Sequence, residues 1–325
     1  MVTLNGIKGQ DNAVRYLTGS LASGRISSSY LFTGPEGVGR ALTARAFIKA
    51  LMCTEKSSPE IPCQACAACR RLDSDDHPDM RWIGPENKRA IKIDQVRAAK
   101  EALSLKPYEG GMNVCVIEKA HLMTTEASNA LLKMLEEPPG RSVIILITSK
   151  KELLLPTVIS RCSQVRFRSL PVETTRDIIM RSGADLSGDF ATYLAYFSQG
   201  SPGRALEMIS EGVLQRREDV LALLETIARE ENAVCLNWDT DEREILLEDV
   251  EMLIMMFRDI ALAKEGAGPF MVDGELSSSA AYGYFTGYTT ERILDIVEML
   301  TGLRKALTGN TNPKLVAQAL PGMIK

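Results

Sequence analysis

No apolar run in this chain approaches the roughly 18–20 residues needed to span a bilayer. The opening Met1-Val2-Thr3-Leu4-Asn5-Gly6 shows no basic segment followed by an apolar core, so no secretion signal is expected. Positive charge is not in excess either: 38 Lys and Arg stand against 42 Asp and Glu, a formal net charge of −4. That balance argues against a protein whose main surface neutralises phosphates, and leaves room only for a local basic strip. Internal repeats and low-complexity tracts are also missing, so the chain reads as ordinary folded domains.

At 325 residues, with 45% hydrophobic and 25% charged residues, the chain has the composition of a soluble globular protein of two or three domains. Seven cysteines without an export signal point to a reducing, cytoplasmic setting. Four of them, Cys53, Cys63, Cys66 and Cys69, crowd into one segment, which favours a metal over disulfides. Four thiolates, three of them on tight loop spacing, suffice for a closed tetrahedral zinc site with no open position for water. Cys115, Cys162 and Cys235 stand alone and read as packing residues. Arg70-Arg71 and Arg81 keep nucleic acid in view near the cysteines, although Asp73, Asp75, Asp76 and Asp79 interrupt the basic run.

Periodicity gives the order of elements. Helices are expected at Gln10–Ala22, Val38–Met52, Asp94–Leu105, from Thr124 or Thr125 up to Pro138-Pro139, and at Leu153–Ser160. Strands are expected at Ser29–Phe32, Asp79–Ile83, Asn113–Ile117, Ser142–Thr148 and Gln164–Arg168. This alternation implies a parallel sheet covered on both faces, with ligands beyond the carboxyl ends of its strands. After Leu170-Pro171 the strands stop, and helices run through Glu173–Ser182, Asp189–Ser198 and Pro202–Ser210. Longer ones follow at Val213–Glu230, Asp241–Lys264, Thr290–Thr308 and Pro313–Ala319. In one of them Met252, Met255 and Met256 read as core rather than as an adaptable interaction face. The main loop, Gly266–Ser279, has no assigned role. The expected architecture is an α/β domain over 1–168 with a metal-module insertion at about 53–69, a small helical lid over 169–211, and an all-α domain over 212–325.

Between the first strand and the next helix stands Gly34-Pro35-Glu36-Gly37-Val38-Gly39-Arg40-Ala41. It has the spacing of the phosphate-binding pattern G-x-x-x-x-G-K-[ST], in which Lys reaches the β/γ-phosphates and Ser/Thr serves Mg²⁺. Gly34, Gly37, Gly39 and Arg40 could still meet a phosphate, but Arg40 replaces the lysine and Ala41 the hydroxyl. The companion strand should end in Asp-Glu, yet Asn113–Ile117 is followed by Glu118-Lys119-Ala120-His121. Lys119 puts a cation where the general base belongs and repels Mg²⁺. Hydrolysis by this chain is therefore not expected, and ATP binding is doubtful. His121 lies past the strand end with no visible catalytic partner, and His77, beside Pro78, reads as a solvated loop residue.

The glycine loop, Glu118–His121, the run Asn129-Ala130-Leu131-Leu132-Lys133-Met134-Leu135-Glu136-Glu137-Pro138-Pro139 and Ser160-Arg161-Cys162 together resemble the bacterial clamp-loader branch of the AAA+ proteins. Gly200-Ser201-Pro202-Gly203-Arg204 resembles that family's second sensor region, and Thr148 and Ser149 fall where its first sensor residue sits. The likeness covers about two-thirds of the chain and is strongest to subunits that keep Ser-Arg-Cys without their own ATP chemistry. It implies an AAA+ α/β domain with a zinc module at Cys53, Cys63, Cys66 and Cys69, a lid, and a collar domain for hetero-oligomerisation. It also implies that Arg161 acts in trans on ATP held by a neighbour. The implied partners are motor (gamma/tau) and delta subunits, and through them a sliding clamp and primed DNA in replication. Two other readings stay open: an ATP-hydrolysing motor subunit in which Arg40 replaces lysine, and a zinc-dependent DNA-binding module.

Overall fold

The structure is a computed structural model and describes residues 3–86, 89–109, 111–229, 243–309 and 311–324. Cys235 and the expected helix ends at Glu230 and Asp241 lie outside them. Contacts divide the chain into two compact units, Met1–Thr174 and Thr175–Lys325. No helix among the described residues is long and apolar enough to cross a membrane.

The first unit is an α/β layer structure. Helix α1 (Asp11–Ser23) leads into β1 (Ser29–Thr33), then α2 (Arg40–Met52) and α3 (Ala67–Asp73). Next come β2 (Met80–Ile83), α4 (Ile93–Ser104), β3 (Asn113–Ile117), α5 (Thr125–Glu136) and β4 (Ser142–Thr148). A short α6 (Pro156–Ile159) and β5 (Ser163–Arg166) complete the unit. The strands pair in the order β2-β3-β4-β1-β5, all parallel. Every residue of β1, β3 and β4 is buried, which is why these strands read as unbroken apolar runs rather than alternating ones. One face packs Leu31, Cys115, Ile117, Ile144 and Leu146 against Leu131, Met134 and Leu135 of α5 and Val96, Ala99 and Leu103 of α4. The i, i+3, i+4 spacing of those helical residues brings them to the sheet together. Cys115 and Cys162 are part of this core.

Helix α7 (Val172–Met180) runs across the division between the units. The second unit is helical: α8 (Gly188–Phe197), α9 (Pro202–Ser210), α10 (Val213–Ala228), α11 (Arg243–Lys264), α12 (Ala280–Phe285), α13 (Thr290–Thr308) and α14 (Pro313–Ile324). Met252 and Met256 are fully buried beside Phe257, in keeping with a core role, whereas Met255 is only half-buried. The segment from Gly268 to Ser278 is pinned from below. Buried Asp259 accepts the N–H groups of Val272 and Asp273, and Arg217 grips Asp273 through two bonds of 3.0 and 2.6 Å.

Candidate functional site

Strand β1 ends at Thr33 and the chain turns at once into the glycine loop at the carboxyl edge of the sheet. Gly34, Gly37 and Gly39 have φ of 147°, 70° and 95°, and Gly39 is the residue from which α2 starts. The loop thus keeps the backbone shape of a phosphate cradle at a helix N-terminus. Its chemistry differs. Arg40 is 8% exposed, and its Nη1 has no hydrogen-bond partner. Burial pulls the guanidinium below its ordinary pKa, and the nearby Glu36 and Glu118 carboxylates oppose the shift. Ala41 offers no oxygen.

Because β3 lies next to β4, and β4 next to β1, Glu118 comes to the same edge as the loop. Its Oε2 accepts the indole N–H of Trp82 at 2.8 Å. Lys119 follows in a left-handed conformation (φ 52°). His121 Nδ1 lies 3.0 Å from Thr148 Oγ1, which also accepts the Lys150 N–H, and Ser149 donates to Glu36. Burial holds the His121 imidazole below its usual pKa, helped by Lys150. Glu118, His121, Thr148, Ser149 and Glu36 are each engaged at this edge, Arg40 Nη1 stands unpartnered, and the hydroxyl that would serve the Mg²⁺ of a nucleotide is replaced by Ala41. The donor set does not fit that group.

Arg161 is elsewhere. It follows α6 at the amino end of β5, and β5 runs parallel to β1 with Tyr30 opposite Ser163 and Thr33 opposite Arg166. The length of β1, about 13 Å at ~3.3 Å per residue, separates it from its own chain's glycine loop. Its side chain is 36% exposed; Nη2 is 2.7 Å from Glu136 Oε1, and Nη1 donates to the Thr157 carbonyl at 2.9 Å. Ser29 Oγ donates to the Arg161 carbonyl at 2.8 Å, so the backbone there is fixed to the start of β1. In the second unit Arg204 lies 3.6 Å from Glu251 of α11.

The cysteines converge. Cys53 ends α2, Cys66 caps α3, and all four Sγ atoms lie within 4.8 Å of one another. The Cys53–Cys66 and Cys63–Cys69 sulfur separations are 3.9 and 4.0 Å. A zinc ion with bonds of about 2.3 Å gives a tetrahedral edge of about 3.8 Å, so the geometry fits. Backbone N–H groups of Cys63, Cys66 and Cys69 point at the sulfurs, as they do where thiolate charge is to be stabilised. Burial raises the Cys66 thiol, but bonds from Thr54 and the Cys69 N–H outweigh it and bring it down to about 5. Burial raises Cys53 and Cys69. Four sulfurs at this spacing could hold a metal ion.

The sequence missed two supports of this module. Lys49, 3% exposed on α2, donates to Gln64 Oε1 at 2.6 Å and to both Asp73 oxygens at 2.7 Å. Gln64 holds φ 65° in the turn from Cys63 to Cys66. His77 corrects an expectation: it is buried, 3% exposed, not solvated. Its Nδ1 accepts the Asp79 N–H, and Nε2 faces Glu109 at 3.9 Å. Burial depresses its pKa against Asp79 and Glu109, with Arg71 adding slightly. Arg71 itself pairs with Glu109 at 2.8 Å, and Arg81 donates to the Pro78 and Met80 carbonyls. Those two arginines of the basic run are engaged by their own chain.

Comparison with known proteins gives the same direction. A Bacillus subtilis DNA polymerase III subunit delta' is 27% identical over 97% of this chain and 96% of its own length. A Pseudomonas aeruginosa subunit delta' is 32% identical over 63% of this chain and 62% of its own. An Escherichia coli DNA polymerase III subunit tau is 33% identical over 54% of this chain but only 27% of its own length. The family described as DNA polymerase III, delta subunit, matches residues 9–171, half of the chain, and this chain belongs to it.

Proposed function

We propose that this chain is a clamp-loader subunit of the delta' kind, without ATP turnover of its own, that lends Arg161 to the ATP of a neighbouring motor subunit. The observation that carries this is the split between the two ends of the sheet. The glycine loop at the carboxyl edge has lost its lysine, hydroxyl and acidic pair, while Arg161 stands partly exposed at the opposite edge, beyond reach of that loop. A planar, permanently charged guanidinium in that place suits the charge that develops on a transferring phosphoryl group, and such arginines supply ~10³–10⁵ in rate.

In this reading residues 1–168 form the AAA+ domain, 169–211 the lid and 212–325 a collar that joins a hetero-oligomer. Motor (gamma/tau) and delta subunits flank the chain, and the assembly opens a sliding clamp for primed DNA. Cys53, Cys63, Cys66 and Cys69 hold a structural zinc whose role is to fix the turn between α2 and α3. The engagement of Arg71 and Arg81 counts against an independent DNA-binding module.

The test is reconstitution with the motor and delta subunits. Arg161→Ala is expected to leave assembly intact and to lower the DNA- and clamp-stimulated ATPase at least about tenfold. An unchanged rate would remove the trans role. The likeness to tau favours one other reading, a motor subunit. Turnover by the purified chain at the rate of such motors would establish it instead.

A further inference from the structure

Helix α5 ends on Glu136, with Glu137 next and Pro138-Pro139 forbidding continuation. Carboxylates in the last turn of a helix face the negative end of its dipole, a placement that local electrostatics disfavour. Residues that go against local preference tend to mark sites where another requirement dominates. Here the second requirement is visible across a gap of 2.7 Å. Glu136 Oε1 meets Arg161 Nη2, while the Thr157 carbonyl takes Nη1 at 2.9 Å and Ser29 fixes the Arg161 carbonyl at 2.8 Å. Cys162 then anchors the chain in the core.

Neither partner is buried: the Arg161 side chain is 36% exposed and that of Glu136 51%. Packing does not impose the pair, and an exposed ion pair adds little to stability. Its effect is on the arginine. A free arginine side chain loses much rotamer freedom when it is fixed against an anion, and holding it beforehand moves that loss out of the reaction. From these contacts we infer that Glu136 is a positioning residue for Arg161. It and the Thr157 carbonyl hold the guanidinium at the amino edge of the sheet, in the place where a neighbour's phosphate meets it. The inference rests on the trans reading of Arg161. It also gives Glu136, the first acid of the Leu-Glu-Glu-Pro-Pro run, a task distinct from ending a helix.

The experiment is a double-substitution cycle in the complex reconstituted with motor and delta subunits, with assembly checked by size exclusion for every variant. Glu136→Ala is expected to lower the stimulated kcat about 3- to 10-fold with the KM for ATP within about twofold. Glu136→Gln, which keeps an acceptor oxygen, recovers part of the loss. In an Arg161→Ala background, Glu136→Ala adds no further loss beyond about 1.5-fold, because the two residues act as a unit. The same fold loss in both backgrounds would overturn the positioning role, as would an unchanged or raised rate in Glu136→Ala alone. The trans reading fails separately, and visibly, if Arg161→Ala by itself keeps the full rate.

Discussion

Gly34 shows why a loop without its chemistry keeps its glycines. A Cβ at this position would stand 2.5 Å from the Phe167 carbonyl oxygen, and the φ of 147° is one that L side chains avoid. Phe167 in turn donates its N–H to the Thr33 carbonyl, so β1 and the segment after β5 meet at that point. The glycine therefore answers to the sheet, whatever the loop binds. Gly34→Ala should cost about 2–4 kcal/mol through backbone strain and a displaced strand end. A urea midpoint unmoved by the substitution would show that the loop relaxes freely. At this scale the losses were legible from letters alone: Arg40, Ala41 and Lys119 differ in kind from what phosphate chemistry uses. The burial of His77 was not legible. Beside Pro78 and among aspartates it has a surface neighbourhood in sequence, and it is the Asp79 N–H and the Arg71–Glu109 pair that enclose it.

Helix α2 is the element that joins the two unusual regions of the first unit, starting at Gly39 and ending at Cys53. Its Lys49 accepts the Cys53 N–H on its carbonyl and reaches the Cys63–Cys66 turn through Gln64. The cysteines should retain about one zinc per chain, measured by elemental analysis. Lys49→Met should weaken that retention about 10-fold in competition with a chromophoric chelator, since it removes the support of the turn while sparing all four ligands. Equal release rates would mean the sulfurs hold the turn without help. The strands of the sheet were legible because their apolar runs are short and bounded. Helix α3 was hidden inside the cysteine segment, where ligand spacing masks periodicity. Helix α12 lay within sequence rich in glycine and serine, and α14 continues past Pro321, against the usual stop.

For the whole molecule, acid is the informative variable. The chain has two histidines, and burial holds both below their usual pKa. His77 is faced by Asp79, Glu109 and Arg71, and His121 by Lys150, Glu36, Arg40 and Lys119. The unfolded chain takes up these protons near pH ~6.5 and the folded one only lower. The stability they represent is thus complete above about pH 6.5 and is lost as pH falls below it. Glu248 and Asp259, both raised chiefly by burial, act in the opposite sense at lower pH. Melting temperature should fall between about pH 7 and 5.5, and the slope should flatten in His77→Gln together with His121→Gln. An undiminished slope in that pair would assign the acid sensitivity to other groups. The two-part order of the chain, alternating and then purely helical, could be read from periodicity. Helices α8 to α14 fall within one compact unit, Thr175–Lys325, and no change of period along the sequence announces that.

The glycine loop and Arg161 occupy opposite ends of the same parallel strands. On the proposed reading a subunit so built has a direction: it gives an arginine at one end and turns over no ATP at the other. In a head-to-tail row, where each member's arginine completes the next member's site, it is a terminus. On that reading a row of n subunits that includes this chain holds at most n − 1 working sites.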